Sequence, residues 1–537
     1  QDLVIAATVR AAHTDRVSSP RTIVLVAFDR LQLLDLAGPI EVFDAAERVA
    51  GGGIYDTIVV TPDGARVRST SRVEIGGDGS LADAPPSFDT LVVVGGRGTR
   101  SLLGDEAFLS RVRELASRAD RVTSVCTGAL VLGAAVIALV WVNSPLGSAY
   151  HALWHTPLEF RLGPLQLGGD LHHWVNDLLM ALFFFVVGLE IKRELVHGEL
   201  RDPKAAALPI ICAIGGMAVP AALYLALAAG TPAAAGWGIP MATDIAFSLG
   251  VLALLGARVP PSLKVFLLTL AIADDIGAIL VIALFYSGGI VWTWLAAGAG
   301  ACVAVVILQR IQVRSMTPYR ILAAALWLFL YKAGIHPTIA GVVLGLLTPV
   351  WPFHKPAAAA DAARGILDGV GAMPPGEARH SALLEVAGLA REAVPPLARL
   401  QAVLHPWSAW VVLPIFALAN AGVSFGGMSL ATVLREPAAG GVILGLVVGK
   451  PVGILAAAAL AVVLRLGRLP TGADWRDVAG VGALAGIGFT VSIFIDGLAF
   501  ADPIIVDAAK MGILLASLAA GVLGAAILGL RRRSPAA

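Results

Sequence analysis

The stretch "LTLAIADDIGAILVIALF", residues 268–285, places two acidic side chains in the middle of an apolar segment. A helix needs about 20 apolar residues to cross a bilayer, and this stretch with its flanks reaches that length. An aspartate at the centre of a membrane helix costs about 3 kcal/mol. We therefore expect Asp274 and Asp275 to face a water-filled cavity or a partner. A structural ion pair and an ion or proton site are the two interpretations.

The composition indicates an integral membrane protein. Of the 537 residues, 57% are hydrophobic and 14% are charged, whereas an average soluble protein has roughly 25% charged residues. A formal net charge of +1 gives no support for a nucleic-acid partner. The three cysteines lie too far apart for a disulfide framework or a CxxC metal site. No ATP motif occurs, and we expect no cofactor.

The chain divides into two regions, which we assign as domains 1–125 and 126–537. The first has short β-branched runs separated by helical stretches, an alternation that predicts a parallel sheet with crossover helices. These runs are "TIVLVAF", "YDTIVV" and "FDTLVVVGG". The N-terminus shows no secretory signal, because charges interrupt its apolar residues.

The second region predicts an all-α, polytopic membrane domain with twelve transmembrane helices. The spans are 128–143, 172–190, 205–228, 236–256, 263–286, 291–309, 319–333, 336–351, 405–425, 439–464, 478–500 and 508–530. Lysine and arginine concentrate in alternate loops, which include the long Ala- and Pro-rich loop 352–404. The positive-inside rule then places both termini in the cytoplasm.

Two of these spans are interrupted by glycine or proline. The first, "GWGIPMATDIAFSLGVLALLG" (236–256), contains Thr243 and Asp244, and the second is "GALAGIGFTVSIFIDGLAF" (482–500). One interrupted span in each half of a transporter is typical of a binding site between inverted repeats. Two Gly-rich packing helices are the competing interpretation.

Lys450 is the only charge in "LGLVVGKPVGILAAAA" (444–459). It is an available cationic partner for either acid of the Asp pair. Neighbouring residues on a helix point about 100° apart, so one acid lines a cavity while the other pairs elsewhere. The sequence leaves open which acid pairs with Lys450.

The donor set suits a hard monovalent cation. Asp274, Asp275 and Thr243 supply oxygen ligands, which Na⁺ and Li⁺ prefer. Desolvation favours the protonated form of a carboxyl group. A cation and a proton that compete for one carboxylate would produce exchange.

Seven motifs resemble the NhaA family of Na⁺/H⁺ antiporters, in the family's order and over residues 128–530. They are "WVNDLLMALFFFVVGLEIKREL", "MATDIAFSLGVLALLG", "LAIADDIGAI", "AGIHPTIAGVVLGLLTP", "LHPWSAWVVLPIFALANAGVS", "GKPVGI" and "GIGFTVSIFI". The resemblance implies twelve helices with inverted repeats and two broken helices. It also implies electrogenic, pH-regulated export of Na⁺ or Li⁺ against entering protons at the cytoplasmic (inner) membrane. Sodium and cytoplasmic pH homeostasis would be its role.

The resemblance assigns roles to individual residues. Asp274 and Asp275 match the ion-site acids, which would hold Na⁺, Asp244 and Thr243 match the broken-helix pair, and Lys450 matches the buried lysine.

Further matches lie outside this central group. Asp177 matches an acid of the second span, and Glu190 and Glu194 match acids linked to the pH response. His336 lies in a family motif, where a helix-packing role is favoured. Gln401 stands where the typical member has an acid, which bears on the pH set-point. The stretch "EFRLGPLQLGG" (159–169) fits an external β-hairpin, which implies a homodimer. No role is assigned to Asp496.

The N-terminal region has a second resemblance. "FDRLQLLDLAGPIEVFDAA" and "RVTSVCTGALVLGAA" resemble the DJ-1/PfpI superfamily, in its isonitrile-hydratase-like form that also precedes AraC-type regulators. Cys126 matches the nucleophile and Asp35 its acidic partner. The flavodoxin-like segment is truncated, because residues 127–142 would also have to form the first span.

Three interpretations of this region remain. It is a vestigial fusion, a folded appendage that gates the transporter, or a Cys-dependent hydratase or hydrolase anchored in the membrane. Twelve spans with buried charges exceed what an anchor needs, so we expect a transporter rather than an enzyme.

Overall fold

The computed structural model describes residues 20–530, except 51–53, 71, 97, 99–101, 103–104, 125–126, 163–164, 256–258, 371–375 and 425–434. The chain forms two compact units, Gln1–Ala129 and Leu130–Ala537.

The first unit is built on a parallel sheet with strand order β5-β2-β1-β6-β7. Its strands are β1 (Arg21–Val26), β2 (Tyr55–Thr61), β5 (Gly79–Ser80), β6 (Phe88–Val93) and β7 (Ala119–Ser124), and β3 (Val67–Arg68) and β4 (Glu74–Ile75) form a separate ribbon. The helices are α1 (Leu33–Ala50) and α2 (Glu106–Arg118). Val24 and Leu25 of β1 and Leu91 of β6 are fully buried. The predicted α/β segment is confirmed.

The second unit is helical. Seven of its described helices are long and apolar enough to cross a membrane: α5 (Leu171–His197), α6 (Pro203–Ala228), α8 (Pro261–Phe285), α9 (Trp292–Arg310), α14 (Pro396–Asn420), α15 (Pro437–Val463) and α18 (Pro503–Gly529). Among the shorter helices, α10 (Thr317–Ala333) and α11 (Thr338–Leu347) lie between α9 and the 352–404 loop. The helical membrane protein is confirmed.

Three further candidate spans each consist of two consecutive helices joined at a bend, which brings the number among the described residues to ten. One pair joins α3 (Thr127–Val142) to α4 (Gly147–Trp154) at 115°. The others join the 3₁₀ helix Pro232–Met241 to α7 (Ile245–Leu254) at 45°, and α16 (Trp475–Ala485) to α17 (Phe489–Ala499) at 46°. The twelve-helix count and the inverted repeats stay predictions.

A β-hairpin follows α4, where the sequence predicts one. Strands β8 (Pro157–Leu162) and β9 (Leu165–Asp170) pair antiparallel, with Leu162 opposite Leu165. The indole N–H of Trp174 donates to the carbonyl of Leu158 and ties the hairpin to α5.

The 352–404 loop contains two helices, α12 (Pro356–Val370) and α13 (Glu377–Glu392), which pack on each other. Glu392 accepts from Arg314 at 3.0 Å and lies 3.0 Å from the ring of His354. These contacts connect the end of α13 to the loop before α10.

Candidate functional site

The two interrupted spans meet at their breaks. The backbone N–H of Asp244 donates to the carbonyl of Ile487 at 2.6 Å. The hydroxyl of Thr243 donates to the carbonyl of Ala485 at 2.9 Å, and that of Ser492 to Ile239 at 2.7 Å. Each break therefore satisfies backbone groups of the other, which the hydrocarbon of a membrane cannot do.

Gly486 allows this close approach. A Cβ at this position would lie 2.3 Å from the carbonyl oxygen of Leu446 on α15. A side chain here would separate α16 from the helix that carries Lys450.

Asp244 caps the start of both half-helices. Its Oδ2 accepts from the backbone N–H of Thr490 at 3.1 Å and from the Thr490 hydroxyl at 2.6 Å. Its Oδ1 accepts from the N–H of Phe247 at 3.2 Å. The N-terminal ends of α7 and α17 both carry partial positive charge, which a carboxylate stabilises.

Lys450 binds the C-terminal end of the 3₁₀ helix that precedes the first break. Its ammonium donates to the carbonyl of Met241, the last residue of the 3₁₀ helix, where partial negative charge collects. It also donates to Oδ2 of Asp274 at 2.7 Å. A π-helical turn, Gly445–Gly449, directly precedes Lys450, and such turns occur frequently at functional sites.

The two adjacent acids of α8 have different surroundings. Asp274 is fully buried, and its Oδ2 also accepts from the hydroxyl of Thr243 at 2.7 Å. Asp274 is thus the acid that pairs with Lys450, the point that the sequence leaves open. Asp275 is 6% exposed, and its Oδ1 has no hydrogen-bond partner in the described part of the chain. Oδ1 of Asp274 likewise has no partner among the described residues, so the two acids differ in that Asp274 is ion-paired with Lys450 through Oδ2 and Asp275 is not.

The structure therefore brings together all five central residues of the sequence prediction: Thr243, Asp244, Asp274, Asp275 and Lys450. It adds Thr490, which the sequence analysis missed. The sequence signal for Thr490 is its hydroxyl, two residues after Gly488 and in the first turn of the helix that follows the break.

Asp177 lies apart from this group, in a π-helical turn of α5 (Val175–Leu179). Its carboxylate is 3.3 Å from the ring of His173 and 3.5 Å from that of His336. His336 also packs edge-on against Phe494. A cavity of about 530 Å³, here called the histidine cavity, is lined by Asp177, both histidines, Tyr286, Phe494 and Gly497.

Glu190 and Glu194 lie near the other end of α5. Glu190 is 3.9 Å from the ring of His405, and Glu194 accepts from Arg193 at 3.1 Å. Gln401 lies one turn before His405 on α14. A second cavity of about 610 Å³, here called the glutamate cavity, is lined by Glu194, His197, Glu199, Arg201, Leu268 and Thr269. The last two residues belong to α8, less than two turns before Asp274.

The sequence analysis pairs Cys126 with Asp35 in the first unit. Cys126 lies outside the described residues, so the structure describes Asp35 alone. Asp35 is 6% exposed, and its Oδ1 has no hydrogen-bond partner in the described part of the chain. Burial raises the pKa of its carboxyl from 3.8 to about 6, against the lowering effect of a hydrogen bond from the Gly95 backbone.

Among the described residues, no three His, Cys, Asp or Glu side chains converge as they would around a resident metal ion. The central site holds acids, hydroxyls and one ammonium. It is suited to a monovalent cation or a proton as a transient ligand.

Comparison with known families gives two matches. Residues 121–528 match the family model described as Na⁺/H⁺ antiporter 1, and residues 21–139 match the DJ-1/PfpI family. The matches overlap over residues 121–139.

Relatives with high identity cover the same region. The Na⁺/H⁺ antiporter NhaA 2 of Sorangium cellulosum is 49% identical over 405 residues, which are 75% of this chain and 86% of that protein. The NhaA antiporter of Bordetella petrii is 48% identical, over 74% and 87% of the two chains. A solved sodium proton antiporter of Methanocaldococcus jannaschii is 12% identical, covers 81% of this chain and 97% of its own, and has a TM-score of 0.39.

Proposed function

This chain belongs to the Na⁺/H⁺ antiporter 1 family, and from that premise we propose that its membrane unit exchanges Na⁺ for protons. It is a transporter rather than an enzyme. The observation that carries the proposal is the different state of two adjacent acids. Lys450 forms an ion pair with Asp274, whereas Asp275 has no ion pair within 4.0 Å among the described residues.

Exchange follows from competition at Asp275. A proton and a Na⁺ ion each neutralise one carboxylate, so the site binds one or the other. When the site faces the high-proton side, a proton displaces Na⁺ from Asp275. When it faces the cytoplasm, the carboxylic acid releases its proton and the carboxylate takes up Na⁺. Asp274 and the hydroxyl of Thr243 supply further oxygens for the ion.

The crossing of the broken helices supports this site. Asp244 and Lys450 neutralise the helix ends and hold the two breaks together. A movement of one broken span against the other then changes access to the Asp pair without exposing backbone groups to lipid.

The two cavities are the proposed access routes. The glutamate cavity reaches α8 near the Asp pair from the side of the basic loops, which we assign to the cytoplasm. The histidine cavity approaches from the opposite end of α5, with Asp177 attracting cations. Glu190 and Glu194 lie on the cytoplasmic route, where the pH response of the family would act.

Several finer properties belong to the same proposal. The membrane domain, 126–537, has twelve helices with inverted repeats, both termini are cytoplasmic, and the protein lies in the inner membrane as a homodimer. Exchange is electrogenic, so more protons enter than Na⁺ leaves, and each cycle carries a proton in addition to the one that competes at Asp275. The exchanger also accepts Li⁺ and responds to pH. Domain 1–125 is a truncated DJ-1/PfpI segment, and its use of Cys126 as an enzyme nucleophile is not favoured.

The test is Na⁺- or Li⁺-induced collapse of a pH gradient in inside-out vesicles from cells without their own antiporters. We expect collapse with the wild-type chain and background values with Asp275→Asn. Asp368→Asn, an exposed acid on α12, is the matched control and should behave as wild type. A well-inserted wild-type chain that collapses no gradient between about pH 6.5 and 8.5, a range around the operating pH, contradicts the proposal.

A further inference from the structure

Asp496 is a buried acid that the mechanism above does not use. It lies on α17, and its side chain is fully buried. Neither carboxylate oxygen has a hydrogen-bond partner among the described residues. Asp244, on the facing break, accepts hydrogen bonds on both oxygens. Asp496 thus differs from the acid that serves a capping role.

Lys510 is a cation within electrostatic range of Asp496. It lies on α18, is 9% exposed, and forms no ion pair within 4.0 Å with Asp496 in the described structure. An acid and a lysine, both buried on packed helices, are therefore not ion-paired in this conformation.

Two histidines lie nearby: His336 packs on Phe494, two residues before Asp496, and His172 lies within electrostatic range of Lys510. The 3₁₀ helix Pro232–Met241 and the end of α14 both pack on α17, and neither segment contains an ionisable side chain near it. Helix α18 adds Asp507, a second negative charge. The hydroxyls of Tyr224 and Tyr286 also lie within electrostatic range.

An ionised carboxylate without a hydrogen-bond donor is destabilised in the interior, because it has lost its hydration without gaining a partner. In this conformation Asp496 is therefore a neutral carboxylic acid. This destabilisation disappears if α17 and α18 shift so that the ammonium of Lys510 reaches the carboxylate, because a paired ion is then formed.

We propose that Asp496 is a second proton-binding site of the antiporter. It holds a proton in this conformation, and it releases that proton to solvent when movement of α17 against α18 pairs its carboxylate with Lys510. This inference rests on the proposed function, because it makes the protonation of Asp496 part of the exchange cycle.

The position of Asp496 explains how it acts on exchange. It lies six residues after Thr490, which bonds Asp244 at the crossing, and this separation is about 9 Å along the helix. Phe494 and Gly497 of the same helix line the histidine cavity. A movement of α17 driven at Asp496 therefore reaches both the central site and the cavity.

The first experiment is infrared difference spectroscopy of the purified full chain between acidic and alkaline pH. Asp496→Asn should lose one titrating band of a protonated carboxylic acid. Lys510→Met should keep that acid protonated throughout, so its band no longer titrates. Asp507→Asn, the neighbouring acid on α18, is the control and should retain the band. Unchanged titrating bands in both Asp496→Asn and Lys510→Met overturn the proposal.

The second measurement is the pH profile of Na⁺ exchange in proteoliposomes. Ionisation of Asp496 favours the paired state, so the wild-type rate should rise with pH. The ionised fraction of a carboxyl group changes by about tenfold per pH unit below its pKa, so the exchange rate should rise by up to that factor. Asp496→Asn should abolish this rise in rate and leave the KM for Na⁺ unchanged. An equally flat pH profile in Lys510→Met and in the double variant Asp496→Asn with Lys510→Met identifies the pairing of these two residues as the cause. A profile that keeps its full rise in Asp496→Asn contradicts the proposal.

The two proposals fail in different ways. If the wild-type chain exchanges no Na⁺, the infrared band still reports whether Asp496 titrates. If exchange occurs and Asp496→Asn changes neither band nor profile, only the second proton site is wrong.

Discussion

The ammonium of Lys450 lies 2.7 Å from Oδ2 of Asp274, and both side chains are completely buried. The pair joins α15 to α8, and the same ammonium reaches the end of the 3₁₀ helix through the carbonyl of Met241. Three elements of the site therefore depend on one cation. Their stability and the exchange reaction should be sensitive to its loss.

Lys450→Met should lower the free energy of unfolding by about 3–5 kcal/mol, because it leaves Asp274 buried without its counter-ion. The melting temperature in detergent measures this loss. Lys264→Met, an exposed lysine at the start of α8, is the control and should melt as wild type.

The double variant Lys450→Met with Asp274→Asn sharpens this test. Removing both charges removes the uncompensated carboxylate, so the double variant should melt above Lys450→Met alone. Additive losses would show that the two side chains contribute independently, contrary to the geometry. Exchange should be impaired in the double variant whichever way stability moves, because an amide replaces a negatively charged carboxylate ligand.

The central residues were accessible to sequence reasoning because charges inside apolar spans are rare. Asp244, Asp274, Asp275 and Lys450 stand out for that reason. The pairing of Lys450 with Asp274 rather than Asp275 was not accessible, since it depends on how α8 is rotated against α15. Helix packing sets that rotation, and adjacent positions give no local signal.

Other features escaped the sequence analysis for physical reasons. Thr490 acts as a hydrogen-bond donor only because α16 and α17 bring it to Asp244. Its hydroxyl alone is unremarkable in a transmembrane segment. The turn of 115° between α3 and α4 also went unpredicted, because Asn143, Ser144 and Pro145 indicate a turn but not the direction of the helix that follows. The helices of the 352–404 loop were hidden by its prolines, although its alanine runs favour helix.

Gly453 should be intolerant of any side chain. A Cβ there would lie 2.2 Å from the carbonyl oxygen of Gly215 on α6, one turn beyond Lys450. Gly453→Ala should therefore separate α15 from α6, lower the melting temperature and reduce exchange, with a cost of about 1–3 kcal/mol typical of overpacking. Gly300→Ala on α9 is the matched control, since no atom lies within 4 Å of its Cβ. Equal melting of the two variants would contradict the predicted clash.

Asp35 should make the first unit less stable as pH rises. Its pKa is raised to about 6 in the folded state from 3.8, so the folded state binds more protons between these values. Stability is then highest below about pH 4, falls through the window to about pH 6, and stays low above it. Asp35→Asn should remove this fall, because an amide does not ionise.

Hydrogen exchange on the full chain measures this effect in the first unit. Peptides covering β1 should be better protected at pH 4 than at pH 7 after correction for the intrinsic rate. The difference should vanish in Asp35→Asn, while Asp63→Asn, an exposed acid in the loop after β2, should retain it. Protection that does not change with pH in the wild-type chain would show that ionised Asp35 is accommodated without cost.

Deletion of residues 1–124 should leave Na⁺/H⁺ exchange intact. Every residue of the central site lies between Thr243 and Thr490, and the antiporter family match begins at residue 121. The measurement is gradient collapse in inside-out vesicles, at equal amounts of inserted protein, across the same pH range as for the full chain. A shifted pH profile with an unchanged maximal rate would identify the first unit as a gate on the transporter. Complete loss of exchange from a chain that inserts normally would instead make residues 1–124 part of the working antiporter. An unchanged profile is the expected result, because the Asp pair, its lysine and the crossing helices form their contacts within the second unit.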